Sequence, residues 1–314
     1  MQKEKKFVSL VVYLHNVEDY IICFLDGILP ICSNCFQEFE IVFADDACTD
    51  STVEKIRSYT EKEHIKAMVN IVHMSFFQGL ESAMNAGRDI AIGDFVFEFD
   101  DVFVDYDPKL LLEVYEKLLD GNDIVAARNK GKIRFTSRLF YLLYNSTSRT
   151  NGKIGPETFR IVSRRAINRI QSMGQYVPYR KAVYMNCGLK NATIMYESKN
   201  SATRVKNKTV TQERTSLALD SFIYFTNALE KISAVLSGLF LFLTIGMGIY
   251  LIIDFFNSNK LVEGWLSTMS FLALGFFGVF ALLTIILKYL SVLLNLIFRH
   301  QRYLVAEIEK VVKC

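Results

Sequence analysis

The sequence predicts an α/β fold: a doubly wound, mostly parallel sheet that is followed by a hairpin of two membrane-spanning helices. Short apolar runs alternate with helical patterns over the first 130 residues, which is typical of parallel strands joined by helical crossovers. Two of these runs end in paired carboxylates. Two long uncharged segments near the end of the chain, 232–253 and 266–287, predict the helical hairpin.

The predicted elements follow this alternation in chain order. Strands are expected at residues 7–13, 39–44, 69–74, 95–99 and 123–127, and helices at residues 17–31, 51–61, 78–92 and 108–119. Pro30 is expected to end the first helix. Beyond Arg128 the pattern loosens into an amphipathic segment, a strand, a helix and a further strand, at residues 133–148, 158–162, 163–173 and 182–197.

The composition limits the classes of partner. The chain has 314 residues, of which 51% are hydrophobic, and most of the apolar excess follows residue 231, which indicates a membrane rather than a larger soluble core. The net charge of +3 is too small to indicate a nucleic-acid partner. The six cysteines show no disulfide framework, which favours a reducing compartment. Residues 7–13 lack a signal-peptide cleavage site, so the first domain is expected to be cytoplasmic.

Four segments are predicted. Residues 1–214 form the cytoplasmic α/β domain, 215–231 a juxtamembrane amphipathic helix, 232–288 the two transmembrane helices, and 289–314 a cytoplasmic interfacial helix. Basic residues flank the outer ends of the spans, whereas the connecting loop carries only Lys260. The positive-inside rule therefore predicts a multi-pass protein of the cell (inner or plasma) membrane with both termini in the cytoplasm. A buried helical hairpin in a soluble protein is the alternative.

The acidic strand ends are the candidate functional residues. Asp45 and Asp46 end the second predicted strand, and Asp100 and Asp101 end the fourth. Because open α/β sheets bind ligands outside the carboxyl ends of their strands, these side chains are expected to line a ligand crevice. The alternative for Asp45 and Asp46 is an ordinary turn in which both are only solvated.

These motifs resemble family 2 glycosyltransferases of the GT-A fold. The resemblance rests on Ser9–Val12 with Asn16 and Glu18, on the run Ala44–Thr52, and on the glycine, alanine and asparagine pattern of Gly79–Asp94. The tail is similar to the polyprenyl-phosphate glycosyltransferase branch. The matching residues there are Phe159, Arg160, Ser163, Arg164, Arg165, Arg204, Asn207, Thr209, Arg299 and Tyr303.

The resemblance implies a nucleotide-sugar donor over the strand ends. Asp46 with Asp45 would contact its base or ribose, beside Asn16 and Glu18. A divalent metal, Mg²⁺ or Mn²⁺, would be held on the diphosphate and stabilise the departing nucleotide. Asp100 matches the first position of the family's Asp-x-Asp motif. Val102 occupies the second, so a nearby carboxylate would have to substitute as metal ligand: Asp101 is the candidate, with Glu98 and Asp105 as alternatives.

The resemblance also implies a polyprenyl-phosphate acceptor at the cytoplasmic face. A phosphate acceptor is an anion at neutral pH, because its second pKa is about 6, so it needs cations rather than a base. The candidate cations are Arg128, Arg160, Arg164, Arg204, Lys206 and Lys208. The alternative is that these residues face anionic headgroups. Asp100, Asp101, Glu157 and Arg160 are the candidate catalytic residues, with Glu157 as the carboxylate nearest to Phe159.

Three functions remain open on the sequence. The first is a membrane-anchored inverting glycosyltransferase that uses a polyprenyl phosphate. A homo-oligomer is compatible with this function. The second is a glycosyltransferase acting on a glycan or lipid-linked saccharide, in which Glu157 or Asp105 is the base. The third is a non-catalytic GT-A-fold membrane partner, because Val102 and Phe76-Phe77 replace polar residues of the family.

Overall fold

A computed structural model describes residues 3–63, 67–131, 154–172, 179–198, 264–298 and 303–312, with short stretches between 138 and 146 and between 235 and 253. The predicted juxtamembrane helix 215–231 and most of the first span, 232–253, lie outside these residues. So do three of the candidate acceptor-binding cations, Arg204, Lys206 and Lys208.

One sheet of eight strands organises the described residues. The strands are β1 (Val8–Leu14), β2 (Phe39–Asp45), β3 (Met68–Met74), β4 (Phe95–Phe99), β5 (Ile124–Asn129), β6 (Phe159–Ser163), β7 (Asn191–Tyr196) and β8 (Val305–Val312). Their spatial order is β7-β5-β6-β4-β1-β2-β3-β8. The predicted α/β fold is confirmed. The sheet is mixed, because β6 runs antiparallel to β4 and β5, and β8 runs antiparallel to β3.

Helices cover both faces of this sheet. They are α1 (Ile21–Cys35), α2 (Thr52–Glu63), α3 (Leu80–Ile90), α4 (Leu110–Leu119), α5 (Arg164–Ser172), α6 (Arg180–Asn186) and α7 (Trp265–Phe298). Two predictions were wrong. Pro30 lies inside α1 instead of ending it. Residues 182–186, the start of the strand predicted over 182–197, belong to α6, since a short apolar run does not distinguish a helix from a strand by periodicity; the later part of that prediction is present as β7.

The core explains why β1 is apolar along its whole length. All seven residues of β1 are buried, because helices pack on both faces of the sheet at this strand. Leu10 and Val12 face one apolar cluster, and Val11 faces the other. On the Val11 side α3 approaches closely: a Cβ at Gly87 would lie 2.6 Å from Val11 Cγ1. Glycine at this position therefore sets the distance between α3 and the sheet.

The carboxyl-terminal segment corrects another prediction. The predicted interfacial helix over 289–314 is wrong in its second half, because Val305–Val312 is strand β8. β8 pairs antiparallel with the edge strand β3, with Ile71 opposite Glu309 and Met74 opposite Val305. The prediction failed because it used only the periodicity within 291–312. The strand forms because the edge strand β3, more than 200 residues earlier in the chain, offers a pairing partner.

The helix α7 contains the predicted second span, 266–287. It has 34 residues, and large apolar side chains along it are exposed, with Phe277 at 69% and Phe280 at 65%. Among the described residues, no helix meets the combined length and apolarity required of a membrane span. The two-span hairpin stays a prediction.

Candidate active site

The carboxyl ends of β4, β1 and β2 lie side by side and run in the same direction. Phe99 of β4 pairs with Val12 of β1, and Leu14 of β1 pairs with Asp45 of β2. Asp100, which follows Phe99, therefore lies at nearly the same level as Asp45, two strands away. At about 4.8 Å per strand, the two backbones are roughly 10 Å apart. The acidic strand ends thus share one edge of the sheet.

Asp46 is fully buried and holds the start of α3. Its carboxylate accepts hydrogen bonds from the backbone N–H groups of Gln78, at 2.7 Å, and Gly79, at 2.8 Å, and from the Tyr13 hydroxyl at 3.0 Å. Burial raises the pKa of Asp46, although these hydrogen bonds oppose the rise. Gly79 has φ +90°, which favours glycine. Asp46 therefore fixes the turn that leads into α3.

Asp45 has a different set of partners. One oxygen accepts the backbone N–H of Cys48 at 2.9 Å, and the other lies 2.7 Å from His73 Nδ1. The second ring nitrogen of His73 lies 3.0 Å from Glu309 of β8, so the imidazole bridges two carboxylates. Burial acts to raise the pKa of Asp45, but the hydrogen bonds from His73 and Cys48 lower it overall. The hydrogen bond with Asp45 is the main cause of the raised pKa of His73.

Asn16 and Glu18 connect the loop after β1 with the loop after β2. The Asn16 side chain accepts the backbone N–H of Thr49 at 2.8 Å, and the Glu18 carboxylate accepts that of Ser51 at 3.1 Å. Glu18 also pairs with Lys55 at 3.6 Å. Both candidate residues therefore hold these two loops together at the edge that carries the acidic strand ends. Their predicted contact with a donor stays a prediction.

Asp100 and Glu98 of β4 are held between two buried arginines. Arg160 donates from Nη2 to Asp100 at 2.8 Å and from Nη1 to Glu98 at 3.0 Å. Arg180 makes the same two contacts from the other side, at 2.7 and 2.8 Å. We call these four residues the arginine bracket. Burial acts to raise the pKa of Asp100, but the two guanidinium groups outweigh it and hold that pKa well below its usual range.

Further charges extend the bracket on both sides. Glu157 accepts Arg160 Nε at 2.9 Å, and Glu81 of α3 accepts Arg180 Nε at 2.8 Å. Lys181 Nζ lies 3.9 Å from an oxygen of Asp100. Each buried arginine thus spreads its donors over three carboxylates. A buried charge needs this degree of pairing, since leaving one partner alone is strongly destabilising.

The bracket also bears on the predicted metal ligands. One oxygen of Asp100 accepts from Arg160 and the other from Arg180. Asp101 accepts the backbone N–H of Phe103 at 3.1 Å, and Val102 is buried at 1% exposure. The described residues include no group of three or more His, Cys, Asp or Glu side chains that could hold a metal ion. As arranged, these side chains do not fit a divalent ion, because it would have to replace guanidinium groups on Asp100.

Arg128 lies at the edge that carries the acidic strand ends. It is near the carboxyl end of β5, which runs antiparallel to β6, as β4 does. A Cβ at Gly155 would lie 2.7 Å from Arg128 Nη1, so the glycine gives the guanidinium room. The buried Nε of Arg128 has no hydrogen-bond partner in the part of the chain that the structure describes. This group is therefore suited to an anion.

Arg164 lies at the opposite edge, and its assignment to the acceptor site is wrong. Its guanidinium donates to the carbonyl oxygens of Ala91, at 2.7 Å, and Gly93, at 2.6 and 2.9 Å, just before β4 begins. Because β6 is antiparallel to β4, Ser163 pairs with Phe95 at the amino end of that strand. The direction of β6 thus separates Arg164 from the acidic edge.

Sequence reasoning missed Glu81, Arg180 and Tyr184, and it considered Glu98 only as a substitute metal ligand. The Tyr184 hydroxyl donates to Glu98 and accepts from Arg88 Nη1 at 3.2 Å. A signal was present only for Glu98, which stands between Phe97 and Phe99 in a run that is predicted to be a buried strand. Charged side chains are rarely fully buried unless they are paired. The presence of Glu98 in an apolar run therefore predicts a charged partner, although it does not show which residue that partner is.

The mixed sheet and its acidic edge define an α/β protein whose acidic strand ends lie side by side at one edge of the sheet. Residues 9–173, more than half of the chain, match the model of glycosyl transferase family 2. The chain therefore belongs to this family and is a glycosyltransferase. This result disfavours the non-catalytic alternative.

The chain is also similar to individual known proteins. The chain is 25% identical over 271 residues to an uncharacterised glycosyltransferase of Synechocystis sp., covering 83% of each chain. It is 29% identical over 199 residues to the prophage bactoprenol glucosyl transferase homolog of Escherichia coli, covering 60% of this chain and 62% of the relative. Mannosyltransferase PcManGT of Pyrobaculum calidifontis, solved with GDP-Man and Mn²⁺, aligns with a TM-score of 0.47 at 15% identity, covering 95% and 89%.

Proposed function

We propose that this glycosyltransferase moves a sugar, with inversion, from a nucleotide-sugar to a polyprenyl phosphate at the cytoplasmic face of the cell membrane. The name of the Escherichia coli relative supports the acceptor class, since bactoprenol is a polyprenol. The donor would lie over the ends of β4, β1 and β2, where about 10 Å separates Asp45 from Asp100. The ring pair of His15 and Phe77, with centroids 4.5 Å apart, borders the same edge and supports a base-binding role there.

The observation that carries the acceptor class is that both candidate bases at this edge are already hydrogen-bonded, whereas the buried Nε of Arg128 has no partner among the described residues. Glu157 accepts from Arg160, and Asp105 accepts from Asn129 at 2.8 Å and Tyr196 at 2.7 Å. The two candidate bases of the glycan-acceptor alternative are therefore committed to contacts within the protein. Arg128, with its buried Nε, is suited to an anionic acceptor. A phosphate attacks without prior deprotonation, so this arrangement favours it.

The exposed apolar side chains of α7 support the membrane part of the proposal. Phe276, Phe277 and Phe280 are all more than half exposed on one helix. Large exposed apolar surfaces mark protein or membrane contacts. A lipid acceptor requires the crevice to lie near a bilayer, and lipid contact along α7 would provide this.

The direct test is transfer of label to lipid. Membranes containing the full chain are incubated with labelled UDP-glucose, UDP-N-acetylglucosamine or GDP-mannose and undecaprenyl phosphate, with the Escherichia coli relative as control. We expect a labelled, solvent-extractable lipid with at least one donor. Label in a glycan only would favour the saccharide-acceptor alternative. No labelled product with any donor, while the control enzyme works, would contradict the proposal.

Two additions to this assay separate the open points. A divalent metal stays a prediction that the arginine bracket does not support, because guanidinium groups occupy both oxygens of Asp100. Loss of transfer in EDTA and its recovery with Mn²⁺ would show that transfer needs a metal. Transfer that persists in EDTA would contradict the predicted metal.

The Glu157→Gln variant tests for a general base. Its amide keeps an oxygen that accepts from Arg160, so we expect less than a tenfold loss of turnover. A loss of about 10²–10⁴-fold would instead indicate a general base and a hydroxyl acceptor.

A further inference from the structure

We propose that the carboxyl-terminal strand β8 is part of the donor site, and that His73 and Gln78 are the positioning residues through which it orients Asp45 and Asp46. The inference rests on the proposed function, because it assumes that the donor binds at the end of β2. Two independent hydrogen-bonded connections run from β8 to these adjacent aspartates. Each passes through one side chain.

The first connection runs through His73. On β8, Glu309 accepts two hydrogen bonds from Arg57, both at 2.8 Å, which fix the orientation of its carboxylate. The same carboxylate lies 3.0 Å from His73 Nε2, and His73 Nδ1 lies 2.7 Å from Asp45. When both ring nitrogens are protonated, each donates to a carboxylate. The position of Glu309 therefore sets the ring plane, and the ring sets the Asp45 carboxylate.

The second connection runs through Gln78. Its side chain donates to the carbonyl of Leu304 at 2.6 Å and accepts the N–H of Leu304 at 2.8 Å. Its backbone N–H donates to Asp46 at 2.7 Å, and the next N–H, from Gly79, also donates to Asp46. The residue just before β8 is thus docked on the turn that Asp46 holds.

Simple protection of the edge of β3 does not require these side chains. An antiparallel partner satisfies an exposed edge through its backbone ladder. Here both side-chain connections end at the two aspartates of the candidate site. Ligand-binding groups keep their geometry when hydrogen bonds from supporting residues fix them. β8 begins seven residues after the end of α7, so this support joins the donor site to the proposed membrane-contacting helix.

The test compares matched changes on one strand. Glu309→Gln removes the charge that faces His73 and Arg57. Glu307→Gln makes the same chemical change at an exposed residue that pairs with His73 in the strand register but has no hydrogen bond to its ring among the described contacts. Gln78→Ala removes only the side-chain bonds to Leu304, because the bond to Asp46 comes from the backbone. Binding of UDP, GDP, CDP, dTDP and ADP to the full chain in detergent is measured by calorimetry. We expect roughly five- to tenfold weaker binding for Glu309→Gln and for Gln78→Ala. Glu307→Gln is expected to bind within twofold of the wild type.

Each outcome decides the inference. A positioning role predicts a higher KM for the donor with an unchanged KM for undecaprenyl phosphate, whereas general loosening of the fold raises both. If the wild type binds a nucleotide and both Glu309→Gln and Gln78→Ala bind it equally tightly, the inference is overturned and the proposed function stands. Equal weakening in Glu307→Gln would also overturn it. If the wild type binds none of the five nucleotides, the donor part of the proposed function fails, and this inference fails with it.

Discussion

The ends of β2 and β4 look alike in sequence and differ in their chemistry. Each strand is apolar and ends in two adjacent aspartates. At β2, Asp46 accepts from two backbone N–H groups and a tyrosine hydroxyl, all of them neutral donors. At β4, Asp100 accepts from two guanidinium groups. The surroundings of each strand end, rather than its own sequence, decide the electrostatics of its carboxylates.

The difference follows from which elements pack over each strand end. The N–H groups around Asp46 come from the start of α3, a helix on a neighbouring crossover. The cations around Asp100 come from β6 and from the first residue of α6. Neutral hydrogen bonds can be exchanged with a ligand or water at modest cost. Removing one partner of a buried ion pair costs far more, because the remaining charge stays desolvated. We therefore expect the β4 end to be the rigid side of the crevice.

The largest expected effect is on stability when Arg180 is removed. Arg180→Ala leaves Glu81, Glu98 and Asp100 without one of their cations, in positions that are nearly inaccessible to solvent. We expect the free energy of unfolding to fall by about 3–5 kcal/mol, measured by urea denaturation of the full chain.

The matched control for this change is Arg165→Ala. Arg165 is also paired with a carboxylate, Asp123, but its side chain is 71% exposed. We expect this variant to unfold at nearly the wild-type urea concentration, because exposed ion pairs contribute little. If both variants lose stability equally, burial does not explain the strength of the bracket.

A smaller effect is expected from neutralising the β2 end. Asp46→Asn keeps one carbonyl oxygen, which can accept one of the two backbone N–H groups. We expect a loss of about 1–2 kcal/mol in the free energy of unfolding, the value of one or two hydrogen bonds. Asp100→Asn, measured under the same conditions, should lose more, because an amide does not balance Arg160 and Arg180. A larger loss for Asp46→Asn would reverse the comparison between the strand ends.

The sequence predicted the first five strands and the four helices between them because their patterns are local. Short apolar runs and helical periodicity can be recognised within a window of a few residues, without knowledge of the rest of the chain. The observed β4 matches its predicted range, 95–99, in full. The acidic edge could be predicted for the same reason, since the parallel direction of β1, β2 and β4 follows from their helical crossovers.

The bracket and β8 could not be predicted in this way, because their contacts join distant parts of the chain. Arg160 meets Glu98 across 62 residues, Arg180 meets Glu81 across 99, and Glu309 meets His73 across 236. No spacing rule connects residues so far apart. Arg164 shows the same limit, since its placement depends on the direction of β6, which the local pattern of 158–162 does not encode.

The smallest expected effect is a pH dependence between pH 6 and pH 9 at the β2 end, which the β4 end lacks in this range because the pKa of Asp100 is held far below it. The contacts with Asp45 and Glu309 raise the pKa of His73, so the folded state binds its proton more tightly than the unfolded chain does. This stabilisation is complete below the unfolded pKa of about 6.5 and is lost as the pH rises through the higher folded value. We expect the wild type to exceed His73→Gln by about 1 kcal/mol or less at pH 6, since His73 and Glu309 are partly exposed, and the difference to shrink toward pH 9. Urea denaturation at the two pH values measures this. A difference that grows with pH would show that the imidazole is bound in its neutral form, and the bridge between Asp45 and Glu309 would then not be ionic.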